Sequence, residues 1–473
     1  MRDAHSGNAA SLHSSFPARP TPTAPREYHF PAFERFTLGN GLGVIVAPVR
    51  ALPVVTVTMV GPCGASSEPA GRDGVANLTA RALLEGSAHS SGEELTERFE
   101  RLGAAIAAGA EWDSAITTMT VLSHRMDEAF ELFAEVMLEP TFPEREVERL
   151  RAERLAELLQ LRTEPRGLAN EMFARFLYEP SSRYAMPEDG GASSVASLTR
   201  SEVETFYRAR YRPAGMTLIV VGDVGTDAAR ALAERAFEAW QGEAPPAPAV
   251  IDRAARLARA MHLVGKADAP QSELRLGQVG LPRTTPDYFP VLVMNGLLGG
   301  MFSSRINLNL REVHGYTYGA HSAFDWRRGA GPFVVDAAVK SDVTGAAASE
   351  MLREIDRMRG ELVSEEELSL ATSYLAGVFP IRYETTDAIA RALAALVVYG
   401  LSGDYFDTYR DRVRAVTRSD VQAAAERYLD PGLMQLVVVG DPEVVAPQLE
   451  ELRYGPLSVY DAEGEPLAEQ QGA

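Results

Sequence analysis

The sequence predicts an α+β protein built from two homologous halves. Each half is expected to be a mostly antiparallel sheet with helices packed on one face, the two together enclosing a clam-like chamber. The first observation behind this is an internal repeat. Thr199-Arg200-Ser201-Glu202-Val203 returns as Thr417-Arg418-Ser419-Asp420-Val421, Pro213 as Pro431, and Val221-Gly222-Asp223 as Val439-Gly440-Asp441, always 218 residues on. A constant offset across three separate features marks a duplication. The second is element order: strands come in hairpin runs and helices in longer runs, which favours antiparallel sheets over a doubly wound βαβ sheet. The third is the stretch 241–260, with Pro245, Pro246 and Pro248, the one strong linker signal.

The elements follow in order. Phe33 to Leu38, Gly41 to Ala47 and Pro53 to Val60 are β-rich, and Gly39-Asn40-Gly41 reads as a tight turn. Gly71 to Glu85 is an amphipathic helix through Val75, Leu78, Ala82 and Leu83, with Gly86 as its C-cap. Ser91 to Leu102 is a second helix, with glutamates in its first turn where the dipole favours them. Ala104 to Ala110 and Ser114 to Leu122 form a hairpin. Helices are expected at 125–138, 143–162 and 165–178, with Pro143 and Pro165 near two of the starts. A loop over 182–194, a helix from Thr199 to Tyr211, a buried strand from Met216 to Val221 and a helix ending at Trp240 complete the half. Residues 1–27 and 456–473 are read as tails, with domains at 28–240 and 261–455.

With 473 residues, 46% apolar and 23% charged, the chain has the composition of a globular protein able to bury large cores. A net charge of −19 argues against nucleic acid or an anionic membrane as partner and is compatible with a basic peptide. Cys63 is the only cysteine, so neither an intrachain disulfide nor a thiolate cluster is possible. There is no run of 18 apolar residues. The Ser-, Pro-, Ala- and Thr-rich start lacks an apolar signal core, so the expected location is cytoplasmic, or periplasmic if the true start lies upstream.

Leu310 to Gly319, LREVHGYTYG, carries the chemistry. Arg311 is expected in the last turn of a helix and Tyr318 on the strand that follows, because Gly315 breaks the helix and Tyr316-Thr317-Tyr318 favour a strand. Their polar tips could converge on one spot, a guanidinium and a phenol donating to a carbonyl that gains negative charge. An ordinary helix-end arginine followed by a half-buried tyrosine has the same spacing. The search for a metal or nucleophile finds neither. None of the eight histidines pairs at i and i+3 or i+4, His314 and His321 fall on opposite faces of a strand, and no GxxxxGK or GxSxG motif exists.

The duplicated halves, the phrase LLGGMFSSRINLNLREVHGYTYG and the VVGD strand ends together resemble the insulinase-like (pitrilysin) metallopeptidase family over residues 33–450. That family carries an inverted zinc motif, HxxEH, on the first long helix after the third strand. The aligned residues here are Asn77-Leu78-Thr79-Ala80-Arg81. Asn77 and Arg81 stand at the histidine positions, Ala80 at the general base, and Glu157 is the best match for the distal glutamate ligand. A cation at 81 opposes a metal ion, and Ala80 cannot accept a proton. The resemblance therefore implies a non-catalytic subunit that binds no cofactor itself and pairs with a homologous HxxEH-containing chain holding zinc. That zinc would activate water and polarise the scissile carbonyl. Tyr318 would donate to the oxyanion, and Arg311 would hold a substrate carbonyl or carboxylate. Gly299 and Gly300 would allow close approach of a peptide extended along a sheet edge, with Phe302 walling the cleft. A plain helix C-cap and a core phenylalanine explain these last three equally well.

Two other readings stay open. Zinc-less duplicated chains of the same family also serve as structural scaffold proteins, which have no need of an Arg/Tyr pair. A self-sufficient peptidase would require a site without paired ligands.

Overall fold

The structure is a computed structural model and describes residues 27–467. The expected tail at 1–27 lies outside the described residues except for Glu27, as do positions 468–473. The first half holds β1 (Glu34–Thr37), β2 (Gly43–Pro48), β3 (Val54–Gly61), β4 (Ala105–Ala110), β5 (Ala115–Leu122) and β6 (Thr217–Gly222). Its helices are α1 (Val75–Ala82), α2 (Gly92–Arg101), α3 (Met126–Leu138), α4 (Glu144–Thr163), α5 (Pro165–Leu177), α6 (Ala192–Ser197), α7 (Arg200–Arg210) and α8 (Thr226–Phe237). The second half holds β7 (Ala260–Gly265), β8 (Gln271–Val279), β9 (Ala320–Phe324), β10 (Pro332–Lys340), β11 (Gln435–Gly440) and β12 (Leu457–Tyr460). Its helices are α9 (Tyr288–Asn295), α10 (Arg305–Asn307), α11 (Thr344–Gly360), α12 (Glu365–Arg382), α13 (Thr386–Tyr399), α14 (Tyr405–Arg414), α15 (Arg418–Tyr428) and α16 (Pro442–Leu452).

The two sheets repeat one another. The first runs β1-β2-β6-β3-β5-β4 and the second β12-β7-β11-β8-β10-β9. Equivalent strands β6 and β11 begin 218 residues apart. Pairing is mostly antiparallel, but β2–β6, β7–β11 and β7–β12 are parallel, so both sheets are mixed. The outer strand is where the halves differ: β1 comes from before β2, whereas its counterpart β12 comes from residues expected in the tail.

The structure adds a second cover to the expected packing of helices on one face of each sheet. Each half's own helices do cover one face. Val44, Val46, Val57, Leu218 and Val220 pack against them in the first half. The strands, however, are apolar on both faces, as LIVV in β6 and LVVV in β11 show. The second face is covered by a helix of the other half. α13 lies on β3 and β6, and α5 lies on β8 and β11. Met172 and Phe173 of α5 bury against Val437 and Val439. The exchange is reciprocal down to its polar ties: the Thr56 and Thr386 hydroxyls are hydrogen-bonded at 2.8 Å, and Arg275 Nε donates to Asn170 Oδ1 at 2.8 Å.

The first long helix is shorter than predicted. α1 ends at Ala82, and Leu84 N and Glu85 N then bond to Arg81 O and Ala82 O in tighter turns. Gly86 instead pairs with Ser91, ahead of α2.

Candidate functional site

Two π-helical turns carry the Arg/Tyr stretch, Gly296–Gly300 after α9 and Leu308–Val313 after α10. Such wide turns displace side chains from the helical register and recur at functional sites. Gly315 ends the second turn with φ of 65°. This left-handed residue lets Tyr316 N reach back to Leu310 O at 2.9 Å, closing the helix end. Polar side chains brace the segment from both sides. Asn309 Nδ2 donates to Glu350 and Glu354 of α11 at 2.9 and 2.8 Å. Buried Asn307 accepts from Ala320 N at 3.1 Å and donates to Phe302 O at 2.6 Å. Arg305 makes a paired contact with Glu367 of α12 at 2.7 and 3.1 Å, which holds the Glu367 carboxyl down to about 2.

Arg311 lies in the last helical turn, with its guanidinium 4.6 Å from the centre of the Phe302 ring. Phe302 is 68% exposed, so it acts as a platform under Arg311. Tyr318 departs from expectation. It sits in the loop before β9, which begins at Ala320, and is 93% exposed. Thr317 Oγ1 claims Gly319 N and O, so the chain turns before the strand can start. No hydrogen bond joins Tyr318 to Arg311 among the described residues. Gly299 packs on β9, where a Cβ would collide with Ser322, and Gly300 is exposed beside Asn295. His314 stacks on Tyr316 at 4.9 Å and faces Glu350 at 3.9 Å.

The residues expected to align with the zinc motif lie in the first half, where α1 faces α4. Asn77 Nδ2 donates to Asp189 Oδ1 at 2.9 Å. Arg81 reaches Glu153 at 3.3 Å and Glu157 at 3.7 Å. Ala80 is fully buried. The donor set is an amide, a guanidinium and carboxylates already paired to arginines, and the void beside it is about 10 Å³. That is room for one water at most, and zinc does not fit these residues. Among the described residues no group of three His, Cys, Asp or Glu side chains could hold a metal ion. His262 is structural: it is stacked on Phe176 at 4.5 Å, bonded to Gln435 and Tyr460, and pushed down to about 4 by burial.

The edge strand β4 borders a cavity of about 360 Å³ between the first sheet and α13. Ala107, Gly109 and Ala394 line it, with Glu111, Asp387 and Arg391 as its charged groups. Sequence reasoning missed Glu153, Arg154 and Asp189. A signal existed for the first, since Glu153 and Glu157 are one helical turn apart and share a face.

Two family models cover this architecture. Residues 46–182 match the model described as Insulinase (Peptidase family M16), and residues 197–375 match Peptidase M16 inactive domain. The chain belongs to the insulinase family of peptidases. An uncharacterized zinc protease of Streptomyces coelicolor is 23% identical over 408 residues, 85% of this chain and 88% of that protein. One from Mycobacterium tuberculosis is 25% identical over 400 residues, 84% and 90% of the two chains. Among solved structures, a peptidase M16 inactive domain from Pseudomonas fluorescens superposes with a TM-score of 0.81 at 27% identity, covering 86% of this chain and 98% of that one. A protease from Helicobacter pylori shares the fold, with a TM-score of 0.80 at 20% identity, covering 87% of this chain and all of that one. No helix among the described residues is long and apolar enough to cross a membrane.

Proposed function

We propose that this insulinase-family chain is the non-catalytic, substrate-binding subunit of a two-chain zinc endopeptidase. The observation that carries the reading is the contrast between the two halves. The first half has the positions expected for metal ligands tied up in ion pairs, while the second half holds Tyr318 out into solvent on the same stretch as Arg311. Leaving a phenol 93% exposed on a segment this heavily tied down makes sense if the ring meets something outside the chain.

Water activation and carbonyl polarisation belong to zinc on a homologous HxxEH-containing partner. This chain's residues bind and orient. Tyr318 Oη donates a hydrogen bond to the scissile carbonyl as it becomes an oxyanion. Arg311, steadied over Phe302, holds a neighbouring carbonyl or carboxylate of the peptide. An extended peptide would add along a free sheet edge, and β4 offers one beside the cavity.

Co-expression with such a partner tests this. Tyr318→Phe is expected to lower turnover of the pair by about 10²–10³, with assembly by gel filtration unchanged. Unchanged turnover in an intact complex would remove the role given to Tyr318 and favour a scaffold.

A further inference from the structure

Glu153 and Glu157 stand one turn apart on α4 and present both carboxylates to α1. Both reach the single guanidinium of Arg81, Glu153 at 3.3 Å and Glu157 at 3.7 Å. We infer that Arg81 is the structural replacement for a metal ion, a cation built into α1 that ties it to α4, and that the surrounding frame keeps metal-site geometry. A metal ion works structurally as one positive centre shared by ligands from separate elements. Here the shared centre is covalently part of one of those elements.

A ring of further contacts holds the same carboxylates. Arg149 bonds Glu153 at 2.6 Å and Glu85, just past the end of α1, at 2.6 Å. Arg154 bonds Glu157 at 3.3 Å and the Asp189 carbonyl at 3.3 Å. Asp189 in turn accepts from Asn77, one turn before Arg81 on α1. The circuit therefore starts and ends on α1 and passes through α4 and the 189 loop. Exposed ion pairs taken singly contribute little. This circuit differs because it crosses between elements, closes on itself and leaves only about 10 Å³ empty.

If Arg81 occupies the metal's place, exchanging it and its neighbours for ligands should recover a metal site. The combined variant Asn77→His, Ala80→Glu, Arg81→His puts two imidazoles one turn apart on α1, facing Glu157. It is expected to retain about one zinc per chain after dialysis, with zinc raising its Tm, while the parent retains none. In the otherwise unchanged chain, Arg81→Met is expected to speed amide exchange over residues 75–82 by about tenfold, and about 1 M salt should do the same to the parent. A folded triple variant with no more zinc than the parent would overturn the retained geometry. Unchanged exchange in Arg81→Met would overturn the clamp, and this measurement stands even if the triple variant does not fold. No peptide or partner enters either test, so neither result depends on the peptide-binding reading.

Discussion

Phe302 shows how a residue's neighbours decide its meaning. In the sequence it is a phenylalanine beside two glycines, equally at home in a core or a cleft. In the structure it is exposed and lies under the Arg311 guanidinium. A cation over an exposed ring contributes about 0.5–1 kcal/mol, so Phe302→Ala should weaken peptide binding about two- to fivefold by titration calorimetry, with little change in Tm. Two carboxylates make a separate prediction about pH. Burial, then Asp189, pushes Glu188 up to about 7 from an ordinary 4.5. Between those values the folded chain keeps a proton the unfolded chain has released, so stability falls as pH rises through the window. Glu188→Gln should flatten that slope in urea midpoints measured at several pH values. Glu367 has the opposite sign: held down to about 2 by Arg305, it stabilises above about pH 4.5, and that contribution is lost as pH falls toward 2.

At the scale of single elements, the repeat TRSEV/TRSDV has a local cause. Thr199 with Glu202 and Thr417 with Asp420 each form a capping box at the start of α7 and α15, just before the matching strands. The same device starts α2 at Ser91 and α12 at Ser364. Removing one cap costs about 1 kcal/mol, so Thr417→Ala should lower the denaturation midpoint by a corresponding amount without altering peptide binding. Most boundaries were legible because caps, prolines and apolar periods are local signals. The strand expected to hold Tyr318 was not, because the turn made by Thr317 with Gly319 outweighs the β propensity of Tyr-Thr-Tyr.

At the scale of the molecule, the exchange of α5 and α13 makes each half incomplete alone. Without α13, the face of the first sheet that carries Ile45, Ala47, Ile219 and Val221 is left uncovered. Residues 28–240 expressed alone should therefore bind a hydrophobic dye and aggregate, and adding 241–473, which includes all six strands of the second sheet, should restore a defined complex on gel filtration. A second junction orients the halves. The β9–β10 loop enters the first half, where Arg328 N donates to Asp113 at 2.7 Å and Arg327 lies over Trp112 at 3.9 Å, and it also meets the linker, where Ala330 N donates to Asp252 at 2.7 Å.

The duplication, the missing metal ligands and the Arg/Tyr stretch could be read from residue order, because each is a matter of identity and spacing along the chain. The swapped helices, the exposure of Tyr318 and the circuit around Arg81 could not. Arg81 meets Glu153 across 72 residues and Asn77 meets Asp189 across 112. Which distant charges meet, and which apolar face receives which helix, depends on how two finished layers pack, and local pattern carries no term for that.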